Sequence, residues 1–168
     1  MSAHSGGCLE RRPPVPRVAV RNSTRGRVVW ITGLSGSGKT TVAGLLVKRL
    51  RASGLATVLL DGDDLRRSIA TDLGYDLDDR RRCAWRYARL SASIALQGLT
   101  VVVATISMFE AIRRWTRRHA PRYLEVYLRR PPIPQRRRAG ARARLVVGVD
   151  LPFEAPVAPD LTFDVPAT

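Results

Sequence analysis

Hydrophobic residues occur along the chain in short continuous runs, which alternate with longer stretches whose apolar positions recur at helical spacing. A short apolar run bounded by turn residues is typical of a buried parallel strand. The runs predict strands at 28–32, 57–60, 100–105 and 123–128, and an edge strand at 160–165. Because strands alternate with helices, we expect an α/β fold: a doubly wound, mostly parallel sheet of about five strands with helices on both faces.

The intervening stretches predict three long helices and the faces that they bury. The first follows residue 40 and ends near Gly54; its apolar face is Val42, Leu45, Leu46 and Leu50. The second covers 78–97; its apolar face is Cys83, Tyr87, Leu90 and Ile94. The third ends at Pro121; its core stripe is Met108, Ile112 and Trp115. Four arginines of the third helix are expected on the opposite face, at 113, 114, 117 and 118.

The first connection from strand to helix has the composition of a phosphate-binding loop. Residues 33–40, GLSGSGKT, match the pattern GxxxxGK[ST] at every fixed position. Glycines let successive N–H groups point at phosphate oxygens, and the helix N-terminus adds a positive dipole end. Lys39 suits the terminal phosphates of a nucleotide, and the Thr40 hydroxyl suits Mg²⁺. The residues predicted to bind the nucleotide are Gly33, Leu34, Ser35, Gly36, Ser37, Gly38, Lys39, Thr40 and Thr41.

Aspartates cluster directly after the second predicted strand, at 61, 63 and 64. This position lies at the edge where open α/β sheets bind ligands. Asp63 is the candidate to orient or deprotonate an attacking hydroxyl, or to hold the water shell of the metal. Any of these aspartates also suits the N-cap of the following helix, and for Asp64 we favour that structural role.

Two further candidates are expected at the same edge of the sheet. Ile106 and Ser107 follow the third strand, and Ser107 suits either contact with a ligand or the N-cap of the next helix. Arg80 opens the second long helix on the side of the aspartate turn, so it is the arginine of that helix that we expect to meet a ligand. The other arginines there are expected to form a solvated face.

The charge of the chain is strongly positive. It has 168 residues with 29 Lys plus Arg against 14 Asp plus Glu, and all but two of the basic residues are arginine. A formal net charge of +15 invites a polyanionic partner such as nucleic acid. The arginines are spread along the chain with little aromatic material among them, which argues against nucleic acid and favours a compositional bias together with phosphate-bearing substrates.

Cysteine content and hydropathy predict a cytoplasmic protein. Cys8 and Cys83 have no paired spacing, so we expect neither a disulfide nor a zinc site. We also expect no membrane partner, since no run approaches a membrane span and the N-terminus lacks the apolar core of a signal peptide. Residues 1–26 are predicted to form a flexible basic tail and 27–168 a single domain, in which 131–145 is arginine-rich and irregular.

Four further stretches make the chain resemble one family. They are LLDGDDLR at 59–66, LGYDLDDR at 73–80, ATISMF at 104–109 and VVGVDLPFEAPVAPDL at 146–161. Over about 28–165 the chain resembles the adenylyl-sulfate kinases, P-loop enzymes that phosphorylate the 3′-hydroxyl of adenosine 5′-phosphosulfate (APS). The resemblance implies a P-loop NTPase-type fold, ATP and Mg²⁺ as cofactors, APS as the small-molecule partner, a role in sulfate activation, and a homodimer.

The resemblance also implies residue roles. Lys39 and Asp63 match catalytic positions, and Thr40 and Asp63 match the metal positions. Arg66 and Arg80 match the arginines that hold the phosphosulfate, and Tyr75 replaces a Phe that stacks on the substrate adenine. The implied substrate-binding residues are therefore Arg66, Tyr75, Arg80, Ile106 and Ser107. The loop 148–156 matches the segment beside the ATP adenine.

Departures from the family keep other interpretations open. Cys83 stands where the family has Asn, and Trp85 replaces the first of an Arg pair. Residues 131–145 match a shortened, atypical lid, in which the arginines at 136–138 would supply the positive charge of the family's lid. One alternative is another small-molecule P-loop kinase with a different hydroxyl acceptor. A second is a degenerate ATP-binding protein with little or no turnover, and a nucleic-acid module is a distant further one.

Overall fold

The computed structural model describes residues 26–131 and 145–166, so the predicted tail before Gly26 and nearly all of the lid segment lie outside the described residues. The described elements are β1 (Arg27–Thr32), α1 (Lys39–Ala52), β2 (Thr57–Asp61), α2 (Gly62–Ile69), α3 (Leu77–Leu96), β3 (Thr100–Ala104), α4 (Glu110–His119), β4 (Tyr123–Arg129) and β5 (Leu161–Asp164). No helix in these two ranges is both long enough and apolar enough to cross a lipid bilayer.

The five strands form one sheet in the order β2-β3-β1-β4-β5, and all neighbouring pairs are parallel. β1 lies at the centre, where Val28 is paired with Val101 on one side and Tyr123 on the other. The predicted parallel α/β sheet of five strands is therefore confirmed. Because the carboxyl ends of parallel strands lie at one edge, the loops after β1, β2 and β3 meet there.

Alternate residues of each central strand face two separate hydrophobic cores. In β1, Val28 and Trp30 pack in one core with residues of α3 and α4, whereas Val29 and Ile31 pack in the other with residues of α1. All four side chains are buried. A strand that is buried on both faces has a continuous apolar sequence, which explains why these strands were recognisable.

Helix α1 buries a face that is offset by one residue from the predicted one. Ala43 and Val47 are buried against the sheet, whereas Val42 and Leu45 are 39% and 60% exposed. The helix starts directly from the phosphate loop with Gly38 as its N-cap, so the loop decides which residues face the sheet. Leu46 and Leu50 are half-buried and pack against the same core, so the prediction is confirmed for these two residues and wrong for Val42 and Leu45.

Helix α4 also differs from its prediction. It begins at Glu110, so Met108 is buried in the preceding loop and not on the helix. Arg113, predicted to face solvent, is only 1% exposed. Its guanidinium lies 3.0 Å from Glu125 Oε1 on β4 and 2.6 Å from Glu110 Oε2. Since these carboxylates compensate the buried cation, an arginine is tolerated in the core, and the solvent-facing prediction for it was wrong.

Candidate active site

The loops after β1, β2 and β3 border a cleft of about 560 Å³ at the carboxyl edge of the sheet. Its walls are the phosphate loop, the turn at 61–63, the segment 104–109 and parts of α2 and α3. From β1 the chain passes first to β2 on one side of the sheet and later to β4 on the other. Such a change of direction is where open α/β sheets bind their ligands.

Two glycines shape the phosphate loop. A Cβ on Gly33, whose φ is +151°, would lie 2.4 Å from the carbonyl oxygen of Leu128. Gly38, whose φ is +82°, is the N-cap of α1. Both positions require a residue without a side chain. The first turn of α1 lines the cleft, and the unpaired N–H groups of such a turn attract anions.

The predicted nucleotide-binding residues divide between two clefts. Those that line the cleft described above are Ser35, Gly36, Gly38, Lys39, Thr40 and Thr41. Leu34 lines a second cleft, whereas Gly33 and Ser37 are buried within the loop. The phosphate loop therefore forms part of both clefts.

Asp61, considered from the sequence as a possible N-cap but not as a ligand-binding residue, lies against the phosphate loop. Thr40 Oγ1 donates a hydrogen bond to Asp61 Oδ2 at 2.7 Å, and the N–H of Asp63 donates to Asp61 Oδ1 at 2.9 Å. Asp61 is thus both the last residue of β2 and the N-cap of α2. The prediction that Asp64 is the N-cap was wrong, since Asp64 lies in the first turn and pairs with Arg67 at the surface.

Lys39 is partly desolvated at the start of α1, where its Nζ donates a hydrogen bond to the carbonyl oxygen of Leu34 at 2.7 Å. Burial lowers the pKa of its ammonium group from 10.5 to about 8, although the carboxylates of Asp63 and Asp61 act in the opposite direction. The side chain is therefore mostly protonated at pH 7 and loses its charge at moderately alkaline pH.

The affinity of the protein for a nucleoside triphosphate is expected to fall about tenfold between pH 7 and pH 9, because the protonated fraction of Lys39 falls by this factor when its pKa is about 8. Titration calorimetry across this range measures the change. The Lys39→Arg variant is the control, since arginine keeps its charge throughout and its affinity should stay constant. A wild-type affinity that does not vary with pH would contradict the assignment.

A second wall of the cleft combines two cations with an aromatic ring. The guanidinium carbons of Arg66 and Arg80 lie 4.5 Å and 5.5 Å from the centre of the Tyr75 ring. Arg66 donates to the Gly74 carbonyl oxygen at 2.6 Å, and Arg80 donates to the carbonyl oxygens of Tyr75 and Leu145, both at 2.8 Å. These bonds hold both arginines beside one ring, an arrangement that suits a ligand with an aromatic base and anionic groups.

Replacement of Arg80 by Ala is expected to raise KM for the phosphoryl acceptor about tenfold, because one charge-assisted contact is lost, while KM for the nucleotide changes less than about twofold. Steady-state kinetics with each substrate varied in turn measures both constants. The control is Arg82→Ala, which removes an exposed arginine of the same helix that pairs with Asp79. Equal changes in the two KM values would refute this placement of Arg80.

Ser107 has an unusual backbone conformation where it borders the cleft. Its φ is +48°, its side chain is buried, and its Oγ has no hydrogen-bond partner among the described residues. This conformation is uncommon for residues other than glycine, and the residues that adopt it cluster at functional sites. Arg113 donates to its carbonyl oxygen, and Thr32 Oγ1 donates to the carbonyl oxygen of Ile106 at 2.7 Å. Ile106 and Ser107 are thus held in the cleft wall, as expected from their position after β3.

The residues that follow Ser107 also border the cleft, although the sequence analysis did not select them for it. Met108 and Phe109 line the same wall. Phe109 is the N-cap of α4 without a side-chain bond, and Glu154 Oε2 accepts the N–H of Glu110 at 2.6 Å instead. The alternative that Ser107 caps α4 was therefore wrong.

Cys83 and Tyr87, predicted as core residues of the long helix, are buried and also border the cleft. The Cys83 thiol donates to Tyr87 Oη at 2.8 Å, and the Tyr87 hydroxyl donates to the Gly62 carbonyl oxygen at 3.3 Å. Burial raises the pKa of Tyr87, so its hydroxyl stays neutral. These bonds tie α3 to the start of α2 beside the aspartate turn.

A second cleft, of about 410 Å³, lies between the phosphate loop and the loop that begins at Gly148. Its walls are Leu34, Tyr127, Arg130 and residues 148–153. Gly148 has a φ of +89°, and a Cβ there would lie 2.8 Å from Leu34 Cδ2. The loop expected beside the ATP adenine therefore packs directly against the phosphate loop.

A phosphate loop that leads from the central strand of a parallel sheet into a helix defines the class of P-loop nucleotide-binding proteins. A kinase of that class also requires a wall for the acceptor across the same cleft, because phosphoryl donor and acceptor must meet at one point, and here the wall opposite the loop is cationic. The family model for adenylylsulphate kinase matches residues 25–164 of this sequence. The chain belongs to the adenylyl-sulfate kinase family.

Individual relatives agree with this result. The chain is 40% identical over 161 residues to the adenylyl-sulfate kinase of Vibrio cholerae, which covers 89% of this chain and 74% of that protein. It is 34% identical, with a TM-score of 0.72, to the Mycobacterium tuberculosis APS kinase CysC in complex with AMPPNP and APS, over 86% and 91% of the two chains. A hexameric APS kinase from Thiobacillus denitrificans is 28% identical, with a TM-score of 0.65, over 84% of this chain and 25% of that one.

Proposed function

We propose that this protein transfers the γ-phosphoryl group of ATP to the 3′-hydroxyl of APS and so forms 3′-phosphoadenosine 5′-phosphosulfate. The observation that carries the proposal is that one cleft joins the phosphate loop, with Lys39, to the wall of Arg66, Tyr75 and Arg80. The relative from Mycobacterium tuberculosis, whose complex contains AMPPNP and APS, supports this pair of substrates.

In this proposal the phosphate loop holds the donor. Its N–H groups and the start of α1 bind the phosphates, and Lys39 adds a charge that balances the one developing on the transferred group. The nucleoside extends toward the second cleft, whose wall includes Leu34 and the rings of Tyr127 and Phe153, which are tilted by 32° with their centres 6.2 Å apart. The protein contributes mainly position and charge, since phosphoryl transfer needs little covalent chemistry from it.

Mg²⁺ fits the donor atoms beside the loop. The hydroxyl of Thr40 and the carboxylate of Asp61 are hard oxygen ligands already in contact, and Asp63 follows in the same turn. Mg²⁺ usually takes one or two protein oxygens and completes its shell with water and phosphate. In the parts of the chain that the structure describes, no cluster of three or more His, Cys, Asp or Glu side chains could hold a metal by itself. A bound Mg²⁺ would neutralise phosphate charge.

The acceptor is proposed to bind along the second wall. Arg66 and Arg80 would hold the phosphosulfate, the Tyr75 ring would stack on the adenine, and Ser107 would contact the substrate from the end of β3. Asp63 is exposed in the cleft at the first turn of α2. From there its carboxylate would orient the 3′-hydroxyl and accept its proton.

The assembly and location of the protein are further parts of the proposal. We expect a homodimer in the cytoplasm, where ATP is available and thiols stay reduced. The hexamer from Thiobacillus denitrificans supports assembly of the chain beyond a monomer. Sedimentation velocity of the purified protein tests this point, and a single monomeric species across the concentration range would refute it.

Acceptor specificity tests the proposed function. ADP release from Mg-ATP is measured with APS, with adenosine 5′-phosphate, with other nucleotides and with sugar acids as acceptors. We expect saturable turnover with APS alone, because only APS presents an adenine together with a phosphosulfate. Saturation by another acceptor would replace APS in the proposal, and nucleotide binding without turnover on any acceptor would support a degenerate protein instead.

A further inference from the structure

Arg130 is a buried cation next to the phosphate loop. It follows the last residue of β4, and only 9% of its surface is exposed. Its Nη1 donates a hydrogen bond to the carbonyl oxygen of Gly36, in the turn of the loop. Burial of a guanidinium is unfavourable unless hydrogen bonds compensate it, so this contact is part of what holds the side chain in place.

The end of β4 meets the loop at two points. One is the close approach of Gly33 to the carbonyl oxygen of Leu128. The other is the approach of Arg130 to Gly36, whose φ is +77°. A Cβ on Gly36 would lie 3.1 Å from Arg130 Nη1. The guanidinium therefore lies directly against the turn of the loop, and its hydrogen bond fixes how the Gly36 peptide is oriented.

Arg130 also lies where the two clefts come together. Gly36 lines the larger cleft, and Arg130 lines the smaller one together with Leu34 and Phe153. A nucleotide with its phosphates on the loop and its nucleoside in the smaller cleft must pass this guanidinium. The side chain is therefore placed to act on the nucleotide and not on the acceptor wall.

We propose that Arg130 is a positioning residue for the nucleotide. It holds the Gly36 carbonyl so that the neighbouring N–H groups of the loop face the phosphates, and it adds a fixed positive charge beside them. This inference rests on the proposed function, in which ATP is the donor. Loss of a charge-assisted hydrogen bond predicts nucleotide binding that is about tenfold weaker.

The test is titration calorimetry with AMPPNP and Mg²⁺ on three variants of the full chain. Arg130→Met removes the charge and keeps much of the side-chain volume, and it should bind about tenfold more weakly than the wild type. Arg130→Lys keeps the charge without the fork of the guanidinium and should be weakened about threefold or more. The matched control is Arg129→Met, an exposed neighbour that pairs with Asp164 on β5, and it should bind as the wild type does.

Kinetics separate a positioning role from a general structural one. KM for ATP should rise in Arg130→Met by about the same factor as the dissociation constant, while KM for APS stays within about twofold. Arg130→Met with wild-type nucleotide affinity would overturn the inference, as would an equal rise in both KM values. If circular dichroism shows that Arg130→Met is unfolded, the nucleotide affinity of Arg130→Lys becomes the test. Wild-type affinity in Arg130→Lys would then overturn the inference. Failure of the wild type itself to bind AMPPNP would instead refute the proposed function.

Discussion

Replacement of Asp63 by Asn is expected to lower kcat about 10³-fold, because a general base contributes roughly 10² to 10⁴ to the rate. Asp63 is exposed in the cleft, and its backbone is fixed by the bond of its N–H to Asp61. Asn preserves the shape of the side chain but cannot accept the proton of the 3′-hydroxyl. Since this role belongs to the transition state, the dissociation constant for the nucleotide should change less than about threefold.

Single-turnover kinetics and calorimetry of Asp63→Asn measure the two quantities separately. They are best compared at pH 6.5, because loss of the Asp63 charge removes an interaction that raises the pKa of Lys39. Asp64→Asn is the matched control, since it changes the adjacent carboxylate, which pairs with Arg67 at the surface. Unchanged turnover in Asp63→Asn would remove this residue from the mechanism.

Replacement of Lys39 by Ala is expected to weaken nucleotide binding and also to lower kcat. The expected fall in kcat is about 10²- to 10³-fold, the effect of removing one donor that stabilises transition-state charge. The partly buried ammonium group donates to the Leu34 carbonyl oxygen, and bound phosphates would compensate its lost hydration further. Both constants should change because the lysine contacts the nucleotide before and during transfer.

Calorimetry measures the nucleotide dissociation constant of Lys39→Ala, and steady-state kinetics measures its kcat. The control is Lys48→Ala, which removes the other lysine of the chain from an exposed position on the same helix. It changes the net charge equally and should leave both constants at their wild-type values. Wild-type kinetics in Lys39→Ala would mean that the phosphate loop does not function.

Local sequence features predicted much of this fold. The strands were recognisable because they are buried on both faces and so form continuous apolar runs. The phosphate loop was recognisable because its glycines, Lys39 and Thr40 lie within eight residues at the fixed spacing of the motif, so no distant contact is needed to identify it. Arg80 was selected from its place at the start of a helix, and Arg66 and Tyr75 from a resemblance to a family. The structure places all three together in one wall of the cleft.

Contacts between residues that are distant in sequence were missed. Asp61 meets Thr40 across 21 positions, and Arg130 meets Gly36 across 94 positions, so no local pattern marks either contact. Arg113 was assigned to solvent because one of its two compensating carboxylates, that of Glu125, lies on the distant strand β4. The one available signal for Asp61 was its place as the last residue of a buried strand, directly before the selected turn.

Two of the four residues predicted for the apolar face of α1 were wrong for a different reason. Hydrophobicity favours Val42 and Leu45 as buried residues, yet Ala43 and Val47 face the sheet. Gly38, in the left-handed conformation, is the N-cap of α1, so the phosphate loop sets which side of the helix faces the sheet. The geometry required by the phosphate loop thus overrides the preference of larger apolar side chains for the core.

The central claim is that this chain phosphorylates APS, and the most direct test follows the transferred group itself. The purified protein is incubated with Mg-ATP labelled in the γ-phosphate, with and without APS, and the products are separated by chromatography. We expect the label to appear in 3′-phosphoadenosine 5′-phosphosulfate, only when APS is present. Measurable binding of ATP without transfer of the label to APS would contradict the proposed function.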